Sequence, residues 1–106
     1  MTAVLNVAAN VSRYYSERGE EVLIEIVAFN AGLHMLRDDT SPVKERINGF
    51  SQSMPNVTFQ ACGNTIDAMG RKEGAMPPLV GSAKVVQAGV VRLIELSEKG
   101  WTVVRP

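Results

Sequence analysis

Cys62 is the only cysteine in the chain, and its surroundings suit a thiolate. It ends the run Asn56-Val57-Thr58-Phe59-Gln60-Ala61-Cys62, which reads as a strand, and Gly63-Asn64-Thr65 then opens a helix. A thiol at such a junction can face helix N-terminal amides, which favour negative charge. Two roles fit it. As a nucleophile, the thiolate attacks a persulfide sulfur, becomes a persulfide itself, and yields the outer sulfur to a second thiolate. As a packing residue, it is a small hydrophobe at the end of a buried strand. Asn64 and Thr65 can bind an anion beside it or cap the helix, with Asp67 as the capping-box partner of Asn64; the two roles are compatible. Gly63 either permits close backbone approach or releases the strand.

Other polar residues admit weaker chemistry. Asn6 and Asn10 lie four apart on one helical face. They reach the carboxyl rim of a sheet if a strand precedes them, and otherwise satisfy neighbouring backbone or a subunit contact. Asn30, at the end of an earlier strand, has the same two readings. His34 could serve as a base, imidazole being the side chain suited to proton transfer at neutral pH, but a local polar contact or solvent exposure is the expected role. Asp38-Asp39 reads as a solvated turn, and Arg71-Lys72 as surface charge. One Cys and one His fall short of the usual four zinc ligands, so no metal is expected. No Cys-x-x-Cys pair, Gly-x-Gly-x-x-Gly or phosphate-binding loop occurs, and no cofactor is expected.

The elements that position these residues alternate. Apolar residues at Val4, Val7, Ala8, Val11, Tyr14 and Tyr15 predict a helix to Arg18, closed by Gly19. Glu21 to Phe29 reads as a buried parallel strand. Asn30 to Leu36 turns through Gly32 into a short helix. Ser41 and Pro42 begin another helix, with Val43, Ile47 and Phe50 or Met54 inward. After the Cys62 strand comes a short helix weakened by Gly70 and Gly74, then a loop over Met76 to Gly81. Lys84 to Gln87 is a brief strand, Gly89 to Lys99 a helix, and Trp101 to Val104 a last strand. The methionines pack the core or an interface.

The order is that of an α/β domain with a mostly parallel sheet and helices on both faces. Residues 1–106 form one domain. The opening helix looks like a crossover whose preceding strand is absent, by tolerance of the fold or because a segment is missing. Eleven basic and eleven acidic residues leave no basic field for nucleic acid. The most apolar stretch, Val22 to Leu36, is interrupted by Glu25, Asn30 and His34, so no membrane span is expected. No basic residue precedes the first apolar ones, unlike a signal peptide. A cytoplasmic setting is consistent with one unpaired cysteine.

Several pieces in order resemble the DsrE/DsrF-like family. They are Leu5-Asn6 with Asn10, Val27-Ala28-Phe29-Asn30-Ala31-Gly32 with Leu36, the run Val57 to Thr65 around Cys62, and Val86-Gln87-Ala88-Gly89-Val90 with Leu93, Gly100-Trp101 and Pro106. The resemblance spans nearly the whole chain. It implies a flavodoxin-like or Rossmann-like parallel sheet, assembly as a homotrimer or hexamer, and a persulfide-bearing cysteine at the position of Cys62. The chain departs from the family in its absent opening strand, and in Asn30-Ala31 where many relatives carry a histidine-glycine pair. The expected function is binding or relay of sulfur through Cys62, in partnership with a sulfur-carrier protein. Gly63, Asn64 and Thr65 would shape the anion environment, with Asn6, Asn10 and Asn30 as further ligand-binding candidates. The alternative is a non-catalytic homo-oligomeric module that binds a small ligand or a protein. A structural assembly subunit with an incidental pocket is a third class.

Overall fold

Branched and aromatic residues concentrate in three short stretches, and these form the sheet. The computed structural model describes residues 1–106. In chain order they form α1 (Thr2–Ser16), β1 (Ile24–Ala28), a 3-10 helix (Asn30–Leu36), α2 (Lys44–Ser53), β2 (Val57–Cys62), α3 (Gly63–Glu73), β3 (Ala83–Val86) and α4 (Gly89–Glu98). The strands lie in the order β1-β2-β3, all parallel. Ile24 pairs with Val57 and Ala28 with Ala61, while Cys62 at the end of β2 stands beside Val86. The sheet is therefore a parallel α/β sheet with helices on both faces, as expected for a flavodoxin-like or Rossmann-like arrangement. No helix is long and apolar enough to cross a membrane.

The pleat sorts the strand residues. Ile24, Ile26 and Ala28 of β1 share a face with Val57, Phe59 and Ala61 of β2. That face meets Leu5 and Ala8 of α1, Ile47 and Phe50 of α2, Ile66 of α3, and Leu33 and Leu36 of the 3-10 helix in one core. Phe59 is 1 % exposed and meets Phe50 edge-on, with ring centroids 6.4 Å apart. Glu25 and Val27 point the other way, toward α4. There Arg92 holds Glu25 through two hydrogen bonds of 3.1 and 2.8 Å. Asn56 joins three segments by donating to Ser12 Oγ and to the Val22 carbonyl, both at 3.1 Å.

Several expected elements differ: α1 ends at Ser16 rather than Arg18, and α3, expected to be short, runs eleven residues through Gly70 to Glu73 before Gly74 ends it. The first strand begins at Ile24 rather than Glu21, because its bonding to the neighbouring strand opens at Ile24, whose N–H donates to Asn56. The second helix begins at Lys44. Ser41 accepts the Val43 N–H at 3.2 Å, so it supports the approach to the helix and does not cap a helix begun at Pro42. Trp101 to Val104 is not a strand. The Trp101 N–H returns to the Leu96 carbonyl, and Val103 and Val104 are exposed. Strand-forming residues need a neighbouring strand to pack and pair with, and this segment has none.

A buried cation pins the far side of the core. Arg37 is 4 % exposed. Its guanidinium makes two bonds to Asp39, at 2.9 and 2.8 Å, and two to Glu73, at 2.7 and 2.9 Å. Beside it, the Asp38 N–H donates to Pro78 and the Val80 N–H to Leu36. Arg37 thus ties the exit of the 3-10 helix to the last turn of α3, with the 78–80 segment laid alongside. Hydrogen bonds to the guanidinium hold both the Asp39 and Glu73 carboxyls below their ordinary values.

Two outcomes follow. Phe59→Ala should lower unfolding stability by about 3–5 kcal/mol in urea melts, whereas Val91→Ala on the exposed side of α4 should stay within about 0.5 kcal/mol of the parent. Arg37→Gln should lower Tm at neutral pH. Because the paired carboxyls titrate lower in the folded chain than in the unfolded one, their stabilisation is complete above the unfolded values. It is lost as pH falls through the folded ones. The Tm gap between parent and Arg37→Gln should therefore be widest near pH 7, begin to narrow below about pH 4, where unfolded carboxylates protonate, and close only once pH has fallen past the lowered values of the folded pair.

Candidate functional site

In a parallel sheet every strand delivers its carboxyl end to the same edge, so the helices that follow begin there. Cys62 is the last residue of β2 and occupies the N-cap position of α3, with extended backbone geometry. Two glycines bring a second helix to the same point. A Cβ on Gly63 would lie 3.0 Å from the Val86 carbonyl oxygen and 3.3 Å from that of Gln87. A Cβ on Gly89, the first residue of α4, would lie 3.2 Å from Phe29 and Val27 side-chain carbons. Without side chains at these positions, the N-termini of α3 and α4 converge on Cys62.

The thiol is 5 % exposed, yet it lines a cleft of about 450 Å³. Burial pushes its pKa up. Against that act the Thr65 hydroxyl, the amides of Gly89 and Thr65, and last the amide of Asn64, which together hold the thiol below its ordinary value. The Asn64 N–H also donates to the Gln87 carbonyl at 3.0 Å, in keeping with its smaller share. Thr65 is itself oriented. Its oxygen accepts the Asn30 N–H at 3.0 Å, which leaves the hydroxyl proton for the sulfur. Asn30 presents that N–H from a left-handed conformation, φ 52°, which asparagine adopts more readily than most residues.

The expected site residues divide. Cys62, Asn64, Thr65 and Asn30 line the cleft together, while Gly63 supports it from behind through its approach to Val86 and Gln87. Asn64 does not cap α3. Helix geometry begins at Gly63, and no side-chain cap bond is made. Asn6 and Asn10 are not brought to the cleft. Both are exposed on α1, and Asn10 accepts a 2.7 Å bond from Arg13. His34 makes a local contact with the Thr40 hydroxyl at 2.9 Å. No three His, Cys, Asp or Glu side chains are placed to share a metal ion.

Sequence reasoning missed the cleft's remaining wall. Ala68, Met69 and Lys72 continue from Thr65 along one side of α3, and Phe29, Ala88, Gly89 and Val90 face them. The spacing of 65, 68, 69 and 72 is a helical stripe and was readable as such. What it faces was not, because Phe29 and Val90 come from distant parts of the chain.

The fold and this edge define a small parallel α/β domain with a cysteine-floored cleft where two helices begin. Among solved structures, the chain is similar to MTH1491, a protein of unknown function from Methanobacterium thermoautotrophicum. The two share 31 % identity and a TM-score of 0.76 over 97 % of this chain and 86 % of the other. At that identity and coverage, the chain belongs to one family with the methanogen protein. No protein-family model matches the chain, and no curated protein matches it.

Thr65→Val tests the electrostatics of the site. It removes a donor to Cys62 and leaves the Asn30 N–H without its acceptor. The apparent pKa of Cys62, read from the pH dependence of iodoacetamide labelling, should rise relative to the parent, while Thr65→Ser should stay close to it.

Proposed function

We propose that this chain is a small-ligand-binding module, working as a homo-oligomer, whose ligand sits in the cleft at the carboxyl edge of the sheet. One observation carries the reading: Cys62 and two helix N-termini share the floor of a cleft with an apolar wall and a few convergent polar groups. Ligand sites have that composition, and open α/β sheets place them at this edge. The donors that face the sulfur favour a small polarisable or anionic group beside it.

The amide and hydroxyl donors around Cys62 favour a more specific second reading, sulfur handling of the DsrE/DsrF-like type. In it, the Cys62 thiolate attacks the outer sulfur of a donor persulfide. A bond forms between Cys62 Sγ and that sulfur, the donor's S–S bond breaks, and the donor leaves as a thiolate. Because the chain has one cysteine, the acceptor thiol must belong to another molecule, such as a sulfur-carrier protein.

Thiocyanate titration of the ¹⁵N-labelled native protein tests the binding reading. Saturable amide shifts confined to Asn30, Thr65 and Gly89 are expected. Shifts scattered over the surface, or none, would overturn it. Mass measurement after treatment with polysulfide separates the second reading from the first. A one-sulfur increment on the parent that is absent from Cys62→Ala supports relay chemistry. No increment in protein that still binds thiocyanate leaves the binding module alone standing.

A further inference from the structure

Charge is distributed unevenly around α3. On one side, Asp67, Gly70, Arg71 and Gly74 line a separate shallow depression. On the other, Thr65, Ala68, Met69 and Lys72 form the wall of the cleft. Lys72 is the only charged residue among the cleft's lining, and it makes no ion pair. The neighbouring carboxylate, Glu73, does not compensate it, because both its oxygens are engaged by Arg37, which lies beyond Met69 at the margin of the cleft. The cleft lining thus holds one uncompensated cation and no carboxylate.

The two ends of the cleft differ. At one, the first amides of α3 and α4 converge on Cys62. At the other stands Lys72, seven residues along α3 from Thr65 and so about 10 Å away at the helical rise. Between them the surface is apolar, with Ala68 and Met69 on α3 facing Phe29 and Val90. Val90 is left half-exposed by the protein alone.

We infer that the cleft takes an extended amphipathic monoanion, a carboxylate with a short unbranched apolar chain. Its carboxylate sits at Lys72 and its chain lies over Ala68 and Met69 toward Phe29. The inference rests on the binding reading of this cleft and names the ligand class. Charge complementarity sets the polarity. The converging amides already face the Cys62 sulfur, whereas Lys72 has no partner, so the carboxylate goes to the lysine. The ligand's chain then covers the apolar wall, including Val90, and removes it from water. A compact inorganic anion could satisfy only one end.

Octanoate, whose extended length is close to the span of the cleft, is the ligand to try first. Acetate and octanol serve as controls, in ¹H–¹⁵N titrations of the native protein. Octanoate should shift the Ala68, Met69 and Val90 amides saturably, and acetate should not. Lys72→Gln alters an exposed side chain and should weaken octanoate by a few-fold, up to about fivefold for an exposed ion pair. Octanol binding should be the same in parent and variant. Equal octanoate affinity in parent and Lys72→Gln would overturn the proposal, as would octanoate shifts confined to Val91 and Ile94 outside the cleft. If thiocyanate perturbs Thr65 and Gly89 while octanoate leaves Ala68 and Met69 unmoved, the ligand class is wrong and the binding reading survives. If neither ligand perturbs the cleft, both fail.

Discussion

The parallel ladder through β2 is the constraint on which the rest of the molecule depends. β2 is paired on both sides, and its Val57, Phe59 and Ala61 occupy the centre of the core. Parallel pairing means that β1, β2 and β3 all end at one edge. The chain must then leave each strand there, and all three departures become helical within three residues, the first as the 3-10 helix and the other two as α3 and α4. The site is a consequence of this arrangement. Partial positive charge gathers at one rim because helix starts gather there.

Whether that charge acts on one atom depends on close approach. An ordinary side chain at Gly63 would press on carbonyl oxygens at the end of β3, and one at Gly89 would press on Phe29 and Val27. Either would hold its helix away from the thiol. Two opposing effects then meet at Cys62. Withdrawal from water disfavours the thiolate and is the largest single influence, yet several modest donors in fixed positions together outweigh it. The Thr65 hydroxyl contributes most among them, and its oxygen is engaged by the Asn30 amide, which directs the hydroxyl proton to the sulfur. The unusual backbone of Asn30 thereby bears on a sulfur it does not touch.

The legible parts of the sequence were those fixed by local pattern. The run ending in Cys62 announced both the strand and the helix after it, and apolar spacing placed the helices that became α1, α2 and α4. Asn64 looked like a cap because caps are read from residue type. In the structure the strand passes directly into helix at Gly63, and Asn64 is already inside the first turn. Trp101 to Val104 has strand composition but lacks a strand to join, a condition that lies elsewhere in the chain. Asn6 and Asn10 reach the site only if a strand precedes them, and α1 leaves both exposed. Nothing in Leu36-Arg37-Asp38 signals the burial of Arg37. Its Glu73 partner lies thirty-six residues on, brought near only by the fold.

Arg37 and the cleft are linked through α3. Met69 lines the cleft, and its sulfur lies 3.7 Å from the Arg37 Nη1. Glu73, one turn further on, is held by two bonds to the same guanidinium. At its start, α3 is fixed by the Asn64 amide on Gln87 and by the Asn30 amide on Thr65. The helix is therefore restrained at both ends by groups on different segments, and its cleft-facing stripe cannot rotate without breaking one set or the other. Lys72 and Glu73 are neighbours in sequence but about 100° apart around the helix, as its periodicity requires. Engaging both Glu73 oxygens with Arg37 keeps that carboxylate from pairing with Lys72. Burying the Arg37 cation in the scaffold in this way takes up the Glu73 carboxylate and leaves the Lys72 charge free at the cleft.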